Sequence, residues 1–130
     1  MIVLDASAAV ALLLNTPPSA GVVRAILAND PDIQSPHLLD AEVAQTLRRF
    51  VHAGDIDAPR ALLALSRLAQ LPITFHAHGP FLDRAFELRD NVTVYDGLYI
   101  AIAEVLGAEL VTKDSRLTRA PGTRATFRPV

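Results

Sequence analysis

Short β-branched runs alternate with helix-compatible segments along the whole of this 130-residue chain, and no other feature limits the possible folds as much. Ile2 to Leu4, Ile33 to Ser35, Ile73 to Phe75 and Glu109 to Thr112 read as strands, with a last edge strand at Thr126 to Arg128. Ser7 to Leu14 is helix-compatible and meets the breaker Asn15-Thr16-Pro17-Pro18. Ala20 to Ala28 carries Val22, Val23, Ile26 and Leu27 at helical spacing and stops at Asn29-Asp30-Pro31. Pro36 introduces a helix from Leu38 to Ala53, with Val43, Leu47, Phe50 and Val51 on one face and Gly54 as its stop. Asp57-Ala58-Pro59 opens the next, in which Ala61 to Leu71 repeats leucines at 62, 65 and 68. Pro80 to Arg89 and Tyr95 to Leu106 complete the helices. Strands that alternate with helices throughout predict a parallel α/β sheet with right-handed crossovers and helices on both faces. The length predicts a single domain over residues 1–130.

Composition narrows the class. Half of the residues are apolar, which is rich for a free monomer of this size and predicts an oligomer or a complex. The chain has no cysteine, so disulfides and thiolate zinc sites are excluded and a reducing cytoplasmic setting is expected. The apolar run Ala8 to Leu14 is far below the roughly 20 residues needed to span a bilayer. His76-Ala-His78 offers two imidazoles but no third ligand for zinc, and His37 and His52 read as surface or helix-end residues.

Four of the 14 acids stand where carboxylates are least expected, beside short apolar runs: Asp5, Glu42, Asp96 and Asp114. Asp5 follows the first strand and Asp114 the fourth, while Glu42 and Asp96 lie early in helices that begin at the same sheet edge. Open α/β sheets bind ligands at the carboxyl ends of their strands, so all four converge there. Taken singly, Asp5 or Ser7 caps the first helix, Asp96 the last, and Asp114 a short turn. Taken together, the acids repel, by about 4 kcal/mol per close pair at an effective dielectric of about 20. Either the cluster holds protons or a divalent cation enters it, and oxygen ligands of high charge density favour Mg²⁺ or Mn²⁺. Tyr95 and Tyr99 flank Asp96 and read as packing residues of a buried helix, the alternative being that one stacks a base or orients a carboxylate. The net charge is −2, yet Lys113, Arg116, Arg119, Arg124 and Arg128 gather near the C-terminus, a local basic edge suited to a phosphate backbone.

At these residues the sequence resembles the PIN-domain ribonucleases and, among them, the VapC toxins of bacterial toxin–antitoxin pairs. The matching pieces are Asp5-Ala6-Ser7, Pro36 to Leu47 with Glu42-Val43, Tyr95-Asp96-x-x-Tyr99 running to Ala103-Glu104, and Leu110 to Asp114 followed by Arg116-Leu117. The resemblance implies a three-layer α/β/α sandwich with a mainly parallel sheet. It also implies Mg²⁺-dependent endoribonuclease activity (Mn²⁺ as substitute), dimerisation, and inhibition by a small VapB-type antitoxin. Asp5, Glu42, Asp96 and Asp114 match the family's catalytic, metal-holding acids, and Ser7 and Thr112 its supporting hydroxyls. Lys113 and Arg116 are the expected RNA contacts, and the apolar helices from Leu38 to Leu71 the expected antitoxin surface. Gln45 stands where many relatives have Asn, which bears on a hydrogen bond behind the acids. Two rivals differ from this reading: a PIN-like module that binds RNA or protein without cutting, and a receiver-like phosphoacceptor domain. The receiver reading lacks an acid adjacent to Asp5 and an Asp at the tip of the strand before Pro36.

Overall fold

Strand β1 (Ile2–Leu4) is buried at every position and forms the centre of a five-stranded sheet. In the computed structural model, which describes residues 1–130, its neighbours are β2 (Ile33–Pro36) and β4 (Glu109–Thr112). β3 (Ile73–His76) and β5 (Thr126–Pro129) form the edges, giving the order β3-β2-β1-β4-β5. All four pairings are parallel, so the sheet is wholly parallel and not merely mainly so. β2 runs one residue beyond the predicted strand because Pro36 sits at its end opposite His76, where its missing N–H interrupts no ladder bond.

The connections set the layers. α1 (Ala6–Leu13) and α2 (Ser19–Asn29) link β1 to β2, and α3 (Leu38–His52) and α4 (Ala58–Leu68) link β2 to β3, all moving toward one edge. α5 (Leu82–Glu87) and α6 (Val94–Leu106) then carry the chain back across to β4. Right-handed crossovers in opposite directions place these two groups on opposite faces. Accordingly α1 packs on α2, α3 and α4, while α6 packs on α5 and lies against β1, β2 and β4. The chain direction reverses between β1 and β4, and such a switch point opens a crevice at the carboxyl ends of the strands.

The core is continuous across both layers and includes Ile2, Val3, Leu4, Leu39, Val43, Leu47, Ile100, Ile102, Leu110 and Val111. α6 is buried from Gly97 to Ala103, and it can lie this close to α5 because position 97 has no side chain: a Cβ there would stand 3.0 Å from the Ala85 Cα and carbonyl oxygen. Gly107, at φ 61°, closes α6 in the left-handed conformation. Two expected helices differ in detail. α4 starts at Ala58, capped by Asp57, and ends at Leu68; it buries Ala61, Ala64 and Leu68 and turns Leu62 outward, so its leucines do not share one inner face. The segment from Pro80 to Arg89 divides into a 3₁₀ turn, Gly79–Phe81, and the short α5.

Candidate active site

Asp5 enters the switch-point crevice because β1 ends one residue before it and α1 begins one residue after. It is the N-cap of α1, its Oδ1 accepting from the Ala8 N–H at 2.9 Å and from the Ser7 hydroxyl at 2.7 Å. Its Oδ2 accepts from the Thr112 hydroxyl at the end of β4. Thr112 Oγ1 in turn accepts from the Asp114 N–H at 3.0 Å, and Ser7 Oγ accepts from the Lys113 N–H at 2.8 Å. Ser7 and Thr112 thus tie the loop after β4 to the loop after β1. Only 6% of Asp5 is exposed.

The other acids arrive by different routes. Asp96 is the third residue of α6, whose cap is Thr93, not Asp96: the Thr93 Oγ1 accepts from the Asp96 N–H at 3.1 Å. The Asp96 carboxylate is therefore not consumed by capping. Asp114 holds the turn after β4, its Oδ1 accepting from the N–H groups of Arg116 at 2.8 Å and Leu117 at 3.4 Å. Glu42 projects from the second turn of α3, and its Oε1 accepts from the Tyr99 hydroxyl at 2.7 Å. Of the two readings of Tyr99, packing alone is too weak: the side chain is buried and also fixes a carboxylate.

All four acids line one cavity of about 500 Å³, together with Ser7, Thr46, Arg49, Tyr99, Lys113 and Arg116. Burial raises the pKa of Asp5, against the hydrogen bonds it accepts, and the charge of Asp96 raises it further. Glu42 is raised by burial and by Asp96 and Asp5, with the Tyr99 hydrogen bond opposing. Asp96 is raised by burial and by Asp114. Asp114 alone is lowered, by the Arg116 guanidinium that sits 3.1 Å from its Oδ2. Four acids thus crowd the crevice, and of the three cations that line it, Arg49, Lys113 and Arg116, only Arg116 is paired with one of them.

No three of the acids already stand at the spacing of a closed metal cage. Arg116 holds Asp114 and Tyr99 holds Glu42. The donor set nevertheless fits a hard divalent cation: every candidate ligand is an oxygen, most are carboxylates, and no cation pairs with Asp5, Glu42 or Asp96.

The basic and aromatic residues sort differently from expectation. Lys113 is exposed at the cavity and its ammonium has no carboxylate partner, whereas Arg116 lines the cavity with its guanidinium committed to Asp114. Arg124 pairs with Glu104 and Arg128 with Glu109, so the C-terminal cations do not form one free edge. Gln45 is exposed, lines a neighbouring cavity and makes no hydrogen bond to the acids. His76 Nε2 meets Gln34 Oε1 at 2.7 Å, His78 Nε2 accepts from the Leu38 N–H at the start of α3, and His37 stacks on Phe75. Sequence reasoning missed Thr46 and Arg49; their spacing of four and seven residues from Glu42, which repeats one helical face, is the signal that pointed to them.

Comparison with known proteins agrees with this fold. Residues 2–122 match the PIN domain family. Over 121 residues the chain is 43% identical to Ribonuclease VapC1 of Mycobacterium tuberculosis, covering 92% of this chain and 90% of that one. The structure of Mycobacterium tuberculosis VapC20, described as a sarcin-ricin loop cleaving toxin, superposes with a TM-score of 0.71 at 16% identity over 95% of this chain and 96% of that one. VapBC2 from Rickettsia felis, bound to a promoter DNA fragment, gives 0.70 at 17% identity over 100% and 99%. A family match over most of the chain, and this identity over nearly the full length of both chains, decide the assignment: the chain belongs to the PIN-domain family and, within it, to the VapC ribonucleases.

Proposed function

We propose that this protein is the toxin of a toxin–antitoxin pair, an endoribonuclease that hydrolyses RNA phosphodiester bonds with Mg²⁺, or Mn²⁺ in its place. The observation that carries this reading is the single crevice in which Asp5, Glu42, Asp96 and Asp114, delivered by four separate segments, come together with only Asp114 in an ion pair. Asp5, Asp96 and Asp114, with Glu42 directly or through water, would hold the cation. When bound, such an ion polarises the phosphate and lowers the pKa of water. The protein's own groups position the reactants. Ser7 and Thr112 fix both oxygens of Asp5. Tyr99 occupies Glu42 Oε1 and leaves Oε2 without a partner, free to accept the proton of the attacking water. Lys113, at the mouth, neutralises the phosphodiester that the acids would otherwise repel.

Hydrolysis by water rather than by the 2′-OH leaves a 5′-phosphate and a 3′-OH. Incubation of the purified chain with total RNA, with Mg²⁺ and with EDTA, followed by end analysis, tests this. Cleavage that survives EDTA, or 2′,3′-cyclic ends, rules the scheme out, and no cleavage under any condition leaves the non-cutting module as the answer. The proposed partners are RNA, a VapB-type antitoxin and a second copy of the chain, all in the cytoplasm. The Rickettsia felis relative, named as a VapBC assembly, and the cysteine-free composition support these assignments. No helix is long and apolar enough to cross a membrane.

A further inference from the structure

Beside the acidic crevice lies a second cavity of about 450 Å³ between α3 and the start of α6. Glu42, Thr46 and Arg49 line both cavities, so α3 forms the wall between them. The three residues repeat on one helical face, and Arg49 stands about 10 Å along the axis from Glu42. Arg49 is exposed, its guanidinium donates only to Thr46 Oγ1, at 3.2 Å, and it takes part in no ion pair. That contrasts with Arg116, which is bound to Asp114. The far wall is Tyr95 of α6, 62% exposed and one residue before Asp96, while Leu38 and Gln45 line the cavity from the α3 side. A free guanidinium, an exposed aromatic ring and an uncommitted amide side by side are the groups that take a phosphate, a base face and a base edge.

We infer that this second cavity is the subsite for the nucleotide flanking the cleaved phosphodiester, with Arg49 holding its phosphate and Tyr95 stacking its base. The assignment rests on the endoribonuclease reading, because it takes the scissile phosphate to lie among the four acids. It explains how an acidic crevice retains a polyanion: one anchor lies a helical turn or two away from the repulsive centre, where the acids do not already neutralise it. It also gives Gln45 a place at the base edge, one methylene longer than the family's Asn. The plain alternative is that Arg49, in the last turn of α3, only favours the helix dipole.

Salt dependence separates the two. Binding of a fluorescein-labelled, random-sequence single-stranded RNA of about 12 nucleotides is measured by anisotropy between about 50 and 200 mM KCl. The protein carries Asp5→Asn to prevent cutting, alone or with Arg49→Ala, Tyr95→Ala or Arg48→Ala. Arg48 is exposed and lines neither cavity. Arg49→Ala should weaken binding and flatten the plot of log K against log salt by about 0.7, one phosphate contact on a single strand. Tyr95→Ala should weaken binding about 5- to 100-fold at unchanged slope, as expected for one lost stacking ring. Arg48→Ala should alter neither. An unchanged slope in Arg49→Ala, or full affinity in Tyr95→Ala, overturns the subsite while wild-type cleavage of total RNA still supports the enzyme. Wild-type protein that does not cut RNA overturns the enzyme reading and the subsite with it.

Discussion

Asp5 shows how one residue holds two opposed requirements. It must be ionised to receive a cation, yet it is buried and faces Asp96. Three donors, from Ser7, Ala8 and Thr112, keep the carboxylate oriented, and burial still outweighs them. Because its pKa is raised on folding, the metal-free native state binds this proton more tightly than the unfolded chain does. The associated stability is present at low pH and is lost as pH rises above the ordinary carboxylate range through the folded pKa. Glu42 and Asp96 share that sign; Asp114, lowered by Arg116, has the opposite one and loses its contribution as pH falls. Asp5→Asn should therefore abolish cleavage and, in EDTA, be more stable than wild type by a margin that widens from about pH 4 upward, measured by urea denaturation. A margin independent of pH would contradict the strained carboxylate. Thr112→Val keeps the shape and removes the donor to Oδ2, so cleavage should fall about 10- to 100-fold, with a matching loss of Mn²⁺ affinity by titration. The acids were readable in the sequence because each interrupts an apolar run. The Tyr99 to Glu42 bond was not, since it joins residues 57 apart whose helices meet only in the fold. Nor was the capture of Arg116 by Asp114, because a short loop decides which cations face the crevice.

At the scale of elements, the site depends on how closely helices approach the sheet. α6 brings both Asp96 and Tyr99, and its depth is set at Gly97, where the backbone of α5 occupies the space a side chain would need. Ala85 is completely buried and its backbone is the nearest obstacle, so a methyl at position 97 cannot be accommodated by a side-chain rotation. Gly97→Ala should cost about 1–3 kcal/mol of stability by pushing α6 from α5, and it should lower activity by displacing Asp96 and Tyr99. Equal melting temperatures for variant and wild type would mean that α5 yields freely. Strand positions were well marked, since β1 and β4 are runs of branched residues with turn formers at their ends. Helix limits were less so: the leucine repeat of α4 suggested one inner face, whereas its alanines at 61 and 64 do the close packing against the layer. Both Gly79–Phe81 and α5 touch α6, and no local pattern marks the break between them.

For the whole molecule, the question is which surface is built to be covered. Leu62 and Leu63 are neighbours on the outer side of α4, 66% and 50% exposed, and neither lines the crevice. α4 lines neither cavity, so a partner bound there touches the toxin without entering the RNA path. Adjacent exposed leucines on a helix whose other face is core match the apolar surplus in the composition. Burying each leucine is worth about 1.5–3 kcal/mol, enough for two of them to dominate a helix-in-groove contact. The double variant Leu62→Glu, Leu63→Glu changes only exposed positions, where substitutions usually alter stability by less than about 0.5 kcal/mol. It should fold and cut RNA like wild type. Titration of the cognate antitoxin into the cleavage reaction should then require more than about a hundredfold higher concentration for inhibition, because two buried apolar contacts become charges facing an apolar groove. Inhibition at the wild-type concentration would place the antitoxin elsewhere, and a change in sedimentation coefficient without loss of inhibition would assign the two leucines to contact between copies of the chain instead.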